Sequence, residues 1–389
     1  MKQKVVILGS TGSIGSSTLS ILKNRNFSIE LLTTKKNADK VFNQALLHNV
    51  RNVIIEDKYK YLRYKKKFKD NRIQIYHGLK NIKKIIKKKI TYCINAISGI
   101  DGLEPTLDII PKTKKILIAN KESIICGWDL IEKKLIKYNT QFIPIDSEHY
   151  SIWSLLNNAN SKNISKVVLT ASGGPFLKKS NNSIANIKPK FALKHPNWKM
   201  GKKISIDSST LMNKIFEFIE AKKIFNLKKE NISIFIHPIS YVHALIFYKD
   251  GLIKFVAHKP EMKIPISSAM NINNNYQDKQ INKNIKSLNN LKFELPKKKK
   301  FPLLSIIPLI PEKSSYFETI LITLNDSLVE KYLNNEINYV SINKNLLNFI
   351  KNKRFLKYYK LKPKNIYDIK NMIMLTKNYL NINIKKYDK

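Results

Sequence analysis

Apolar residues in the first 145 positions come in short continuous runs. Longer stretches separate them, in which apolar positions recur every three or four residues. The runs at 4–8, 28–33, 52–56, 91–97, 115–119 and 140–145 read as buried strands, with helical patterns between them beginning at 16–23. Unbroken apolar runs, rather than alternation, mean strands covered on both faces, as in a parallel sheet wound by helices. The expectation is an α/β chain that opens with a Rossmann-like, doubly wound domain over 1–145.

The pattern then changes. Strands at 166–171, 232–236 and 253–257 and a well-marked helix at 211–225 predict a central α+β catalytic domain over 146–271. The stretch 272–300 is rich in asparagine and lysine and only weakly apolar, and reads as a linker. From 301 to 389 the pattern is helical, at 315–334, 342–349 and 365–380, and predicts a small C-terminal α-helical domain. A chain of 389 residues suits two or three such cores.

Composition changes this picture little. Hydrophobic residues make up 43% of the chain, and no apolar run approaches the length of a membrane span. The opening Val5-Val6-Ile7-Leu8 is too short for a signal-peptide core, and the two cysteines, Cys93 and Cys126, form no metal or redox pattern; a reducing, cytoplasmic setting is expected. The net charge of +43 invites a nucleic-acid or membrane reading. Yet only five of the 71 cationic residues are arginine, the side chain that best matches phosphates and guanine edges. Lysine, asparagine and isoleucine abound throughout, and all three have A/T-rich codons. The charge therefore reads as solvated faces shaped by codon bias, with no nucleic-acid or membrane partner expected.

Candidate chemistry begins at Gly9-Ser-Thr-Gly12-Ser-Ile-Gly15, between a predicted buried strand and a helix. There backbone N–H groups and a helix N-terminus can receive a dinucleotide pyrophosphate. The second strand ends Thr33-Thr34-Lys35-Lys36-Asn37, with no carboxylate for a ribose 2′-hydroxyl, and so favours NADP over NAD. Asp146-Ser147-Glu148-His149 follows the last strand of the sheet. Its two carboxylates share a face if the backbone stays extended; alternatively they are an N-cap and an acidic first turn. Oxygen ligands would suit Mg²⁺ or Mn²⁺. On the predicted helix 211–225, Leu211, Ile215, Phe218 and Ile219 form an apolar stripe. Asn213, Lys214, Glu217 and Glu220 lie opposite, either converging on a ligand or facing solvent. Thr170-Ala-Ser172-Gly-Gly-Pro-Phe176 reads as a strand opening into a phosphate-presenting turn. His195-Pro-Asn-Trp198-Lys-Met-Gly201 reads as a flap with an aromatic cover.

Together with Ala119-Asn-Lys121-Glu-Ser123 and Ser205-Ile-Asp-Ser208-Ser-Thr-Leu-Met-Asn213-Lys214 through Glu217, these blocks resemble the signature segments of the 1-deoxy-D-xylulose 5-phosphate reductoisomerase family, in the family's order and spacing. The resemblance is close over about 1–270 and looser beyond. It departs at Ile215, where glycine is usual, and at Ile239, where glutamine is. It implies an enzyme using NADPH and Mg²⁺ or Mn²⁺ to rearrange and reduce a sugar phosphate, acting as a homodimer. Asp146, Glu148 and Glu217 would hold the metal, and Ser172, Ser208, Asn213 and Lys214 the substrate phosphate. Lys121, Ser147, Glu148, His195 and Glu217 would meet the substrate, with Lys121, Glu148 and His195 catalytic. Thr11, Gly12, Ser13, Ile14, Lys36, Asn37, Asn120, Glu122 and Gly201 would line the cofactor site. Two rival readings are a different NADP-dependent dehydrogenase, which as a semialdehyde dehydrogenase would need a cysteine nucleophile, and a basic nucleic-acid-binding protein.

Overall fold

A computed structural model describes residues 2–23, 25–156, 163–198, 200–273 and 281–384. Two compact units emerge, one of Met1–Trp153 with Met262–Asn274 and one of Ser154–Glu261 with Asn275–Lys389.

The first unit is built on seven strands: β1 (Gln3–Leu8), β2 (Phe27–Thr34), β3 (Asn52–Ile55), β4 (Gln74–His77), β5 (Ile90–Asn95), β6 (Thr113–Ile118) and β7 (Gln141–Pro144). Their order is β4-β3-β2-β1-β5-β6-β7, and every neighbouring pair is parallel. The strand order reverses between β1 and β5, which makes the crevice beyond their C-terminal ends the place where such sheets bind ligands. Val5, Val6, Ile7 and Leu8 are all fully buried, as strands covered on both faces must be. The segment 262–274 returns to this unit, adding Ile266, Ala269, Met270 and Ile272 to the core around Val5, Leu32 and Ile94.

The second unit holds a four-stranded sheet of β8 (Ile164–Ala171), β9 (Ile232–Ile236), β10 (Val242–Tyr248) and β11 (Ile253–Ala257), in the order β11-β10-β8-β9. β8 and β9 run parallel, while β10 pairs antiparallel with both β8 and β11. The helix Met212–Ile224 packs on β8 and β9, and the helices Tyr316–Leu333, Tyr339–Ile350 and Ile366–Asn383 form a bundle within the same unit.

The structure adds to the expected pattern in three places. β4 and β10 do not follow the apolar-run pattern: β4 is an edge strand with exposed or half-buried residues only, and β10 carries His243 within it. The stretch 272–300, expected as a linker, contains the helix Ile281–Leu288, and its Glu294 bridges antiparallel to Ile236 beside β9; residues 274–280 lie outside the described residues. The helical region after 301 belongs to the same compact unit as the four-stranded sheet. Its amphipathic helices find their apolar partner there.

Candidate active site

The glycine turn opens directly from β1. Gly9 takes φ +80°, and a Cβ there would sit 2.6 Å from the Ala96 carbonyl oxygen; a Cβ on Gly15 would sit 2.5 Å from that of Gly9. Both glycines are thus demanded by backbone packing. Gly12 is not: its nearest neighbour would be 3.5 Å from a Cβ, and its backbone is extended at φ −73°. Gly12 is exposed at the N-cap of the helix Ser13–Leu22, with no side-chain cap, which leaves N–H groups of the first turn for an anion.

Around the turn, Thr11 shares a 2.8 Å hydrogen bond with Thr34 at the tip of β2, and Lys40 Nζ donates to the Thr11 carbonyl at 2.9 Å. Lys36 and Asn37 are exposed beside it. Asn37 also caps the helix Ala38–Leu47 by accepting from the Lys40 amide. Asn120 is more heavily engaged. Its Oδ1 caps the helix Lys121–Tyr138, and its Nδ2 donates to the carbonyls of Ile97 and Gly99. It therefore ties the loop after β5 to the loop after β6, while Glu122 is buried in the same first turn. Ser13 and Ile14 begin the first helix.

At the sheet's C-terminal edge, Asp146 stands just before the helix Ser147–Leu156, and the Glu148 amide donates to its Oδ1 at 3.3 Å. The backbone turns helical here, so the capping alternative holds and the extended one does not. Asp146 pairs with Lys121 Nζ at 3.0 Å and lies 3.4 Å from His149 Nδ1. Burial opposes its charge, but the Lys121 ammonium and His149 hold its carboxyl well below the usual carboxylate range. Ser147 Oγ donates to Glu148 Oε2 at 2.6 Å. Lys121 is 6% exposed and His149 is fully buried. An ion pair kept this far from water is costly unless geometry and further partners support it. His149 received no role from the sequence; its position three residues after Asp146 on a helix was the signal.

In the second unit, Ser172, His195 and Ser208 converge. His195 Nε2 lies 3.0 Å from Ser172 Oγ and 3.1 Å from Ser208 Oγ. Its Nδ1 accepts the amides of Asn197 at 3.2 Å and Trp198 at 3.0 Å. An Nδ1 that accepts twice carries no proton, so the ring is the Nε2–H tautomer and donates towards the serines. Burial pushes its pKa down to about 4. Trp198 stands edge-on to His243, with ring centroids 6.0 Å apart. Lys199, within this flap, lies outside the described residues. Gly201 ends the flap as the exposed N-cap of the helix Lys202–Ser209.

The helix Met212–Ile224 is buried nearly all round, and its polar side is not a solvated face. Lys214 and Glu217 are 4% and 1% exposed and form an ion pair, while Asn213 Nδ2 donates to Glu217 Oε1 at 2.5 Å. Leu211, just before the helix, sits at φ +66°, a left-handed conformation costly for a branched side chain. That strain lies between Ser208 and Asn213. Sequence reasoning missed a further pair of contacts from the C-terminal helices: Asn325 Nδ2 donates to Asp207 Oδ1 at 2.8 Å, and Tyr339 Oη lies 3.0 Å from Ser209 Oγ. The semialdehyde dehydrogenase reading fares poorly, because Cys93 is wholly buried in β5 and burial pushes its thiol far up.

Three family models match the chain: 1-deoxy-D-xylulose 5-phosphate reductoisomerase over 5–127, that enzyme's C-terminal domain over 142–225, and the DXP reductoisomerase C-terminal domain over 258–378. The 1-deoxy-D-xylulose 5-phosphate reductoisomerase of Pelagibacter ubique (strain HTCC1062) is 48% identical over 374 residues, spanning 95% of this chain and 96% of that protein. The enzyme of the same name from a Wolbachia of Brugia malayi is 37% identical over 87% of this chain and 88% of its own length. Among solved structures, a DOX-P reductoisomerase in complex with NADPH, fosmidomycin and magnesium superposes with a TM-score of 0.90 at 32% identity, covering 98% of each chain. The reductoisomerase of Zymomonas mobilis in complex with NADPH gives 0.85 at 27% identity, covering 97% of each.

Proposed function

The chain belongs to the 1-deoxy-D-xylulose 5-phosphate reductoisomerase family, and from that premise we propose that it rearranges and reduces 1-deoxy-D-xylulose 5-phosphate to 2-C-methyl-D-erythritol 4-phosphate, an isoprenoid precursor. NADPH and Mg²⁺ or Mn²⁺ are its cofactors in this reading. The observation that carries it is the burial of the pairs Lys121–Asp146 and Lys214–Glu217 with Asn213, a concentration of charge that a fold does not need and a phosphate- and metal-bound substrate does.

The donor sets fit both cofactors. Asp146, Glu148 and Glu217 offer only carboxylate oxygens, with Asp146 held ionised, as a hard divalent cation requires. The exposed Gly12 N-cap, the open helix N-terminus and Lys36 suit a pyrophosphate and a 2′-phosphate; the family resemblance assigns Thr11, Ser13, Ile14, Asn37, Asn120, Glu122 and Gly201 to the same cofactor. When bound, the cation supplies Lewis-acid polarisation of the ketone and neighbouring hydroxyl, and the nicotinamide supplies hydride.

The chain's own residues do the rest. Ser172, Ser208, Asn213 and Lys214 anchor the phosphate by hydroxyls, an amide and an ammonium, which keeps the fragments in place while one carbon–carbon bond breaks and re-forms. His195, neutral and donating from Nε2, gives a hydrogen bond without adding a charge. Lys121 brings a buried ammonium near oxygen atoms that gain negative charge, and Ser147 binds beside it. Trp198 closes over the substrate and excludes water. By function, 1–145 would carry the cofactor, 146–271 the chemistry and 301–389 the helical support. A homodimer is supported by β11, an edge strand whose Ile253 and Phe255, with Leu252 before it, are exposed. A cytoplasmic setting fits Cys93 and Cys126, neither of which forms a disulfide.

The test is NADPH oxidation on adding 1-deoxy-D-xylulose 5-phosphate, with Mg²⁺ present or chelated. Metal-dependent turnover to the branched polyol phosphate is expected. Equal rates after chelation would defeat the reading.

A further inference from the structure

The strand order β10-β8-β9 makes the connection from β9 to β10 cross the end of β8, the strand from which Ser172 emerges. That connection is fastened there. The His237 amide donates to the Ala171 carbonyl at 2.7 Å, and Thr170 Oγ1 donates to the Val242 carbonyl at 2.5 Å. The flap that carries His195 docks on the same connection. Asn197 Nδ2 donates to the Pro238 carbonyl at 2.6 Å and to Ser240 Oγ at 2.9 Å, and Trp198 stands edge-on to His243 on β10. A carbonyl only accepts, so the amide of Asn197 has one possible orientation.

Ser240 is buried and takes φ +51°, a left-handed conformation that glycine or asparagine adopts at less cost. Glycine would relieve that strain but would remove the hydroxyl that meets Asn197. Strain kept beside a substrate-facing loop points to a role beyond stability. Asn197 acts in two directions. Its side chain grips the connection, while its own amide and that of Trp198 point at His195 Nδ1. Two successive amides face one ring nitrogen only when the chain curls round it, so whatever pins residue 197 also sets the ring.

We propose that Asn197 and Ser240 are positioning residues that lock the flap to the β9–β10 connection and thereby aim His195 Nε2 at the substrate. This rests on His195 meeting the substrate, as in the reading above. The lock puts the flap and Ser172 in one frame, and so maintains the 3.0 Å and 3.1 Å spacings from His195 Nε2 to the two serines. Without it the ring is free to turn and to exchange tautomers. The two amides then no longer oppose a proton on Nδ1, and the productive orientation is held for only part of the time.

Two variants test the lock. Asn197→Asp keeps the shape but turns an oxygen, in place of a donor, towards the Pro238 carbonyl. Ser240→Gly removes one acceptor while relieving the backbone, and it suffices alone if Asn197→Asp does not fold. Nitrogen-15 NMR of the full chain, labelled in histidine and without cofactor or substrate, reads the tautomer and titration of His195, with His195→Gln assigning the signal. The wild type should hold the Nε2–H tautomer, and both variants should show a tautomer mixture and a higher titration midpoint. Ser240→Gly should melt no lower than the wild type yet lose about threefold to tenfold in kcat/KM for 1-deoxy-D-xylulose 5-phosphate; Asn197→Asp should lose about tenfold or more. His195 signals unchanged in both variants overturn the proposal. So does a loss of turnover in Ser240→Gly that only accompanies a lower melting temperature. Altered His195 signals, with a wild type that turns over no 1-deoxy-D-xylulose 5-phosphate, would leave the lock standing and count against the catalytic reading.

Discussion

His195 shows how much one side chain's neighbours decide. Two backbone amides point at its Nδ1, and no carboxylate faces either nitrogen in the hydrogen bonds it makes. Its pKa of about 4 lies below the ordinary histidine value of about 6.5. The unfolded chain therefore takes up a proton near 6.5, which the folded one refuses until about 4. The stabilisation this histidine gives is complete above pH 6.5, falls as pH drops through that window and is lost below about 4. NMR titration should find its midpoint near 4, and an acid limb of kcat above pH 5 would then belong to another group. A midpoint above 6 would contradict the neutral, donating role. Gly12 and Gly15 make a paired prediction. Gly15→Ala, forced against backbone, should cost on the order of 1–3 kcal/mol or more in a denaturant titration. Gly12→Ala should leave stability nearly unchanged while NADPH binding weakens about tenfold or more, because only the ligand objects to that methyl group.

At the scale of elements, asparagine does much of the work that glycine and serine do elsewhere. Asn37, Asn120, Asn338 and Asn365 cap helices through their side chains. Asn49, Asn139, Asn226, Asn271 and Asn335 take left-handed φ values where chains turn, in a protein with 11 glycines. A composition that reads as codon bias is thus also structural. The seven-stranded sheet was legible wherever a strand is covered on both faces, since its residues then form a continuous apolar run. β4 was not legible, because a half-exposed edge strand such as Gln-Ile-Tyr-His leaves no run. The site's residue types and spacing were legible too. Their burial was not, since whether the polar side of Met212–Ile224 meets solvent depends on distant segments packing over it. Asn325 belongs to that support. Asn325→Ala removes a buried donor from Asp207, and should lower stability by about 1–3 kcal/mol, read from thermal unfolding, while changing KM more than kcat through Ser208 next door.

For the molecule as a whole, charge and assembly yield to direct measurement. With lysine dispersed and arginine scarce, DNA binding should be weak and vanish at moderate salt, as checked by a salt-dependent shift assay. The proposed homodimer predicts a dimeric wild type in analytical ultracentrifugation and a monomeric Phe255→Lys variant, altered on the exposed edge of β11; a monomeric wild type would contradict it. The proposed cation site draws Asp146 and Glu148 from one helix N-terminus and Glu217 from a helix about seventy residues further along the chain. Mn²⁺ binding measured by paramagnetic resonance for the wild type and for Asp146→Asn, Glu148→Gln and Glu217→Gln tests this directly. The prediction is one site per chain, weakened at least about tenfold by each substitution alone, with turnover lost in parallel. Wild-type Mn²⁺ affinity and turnover in any one of the three variants would contradict it.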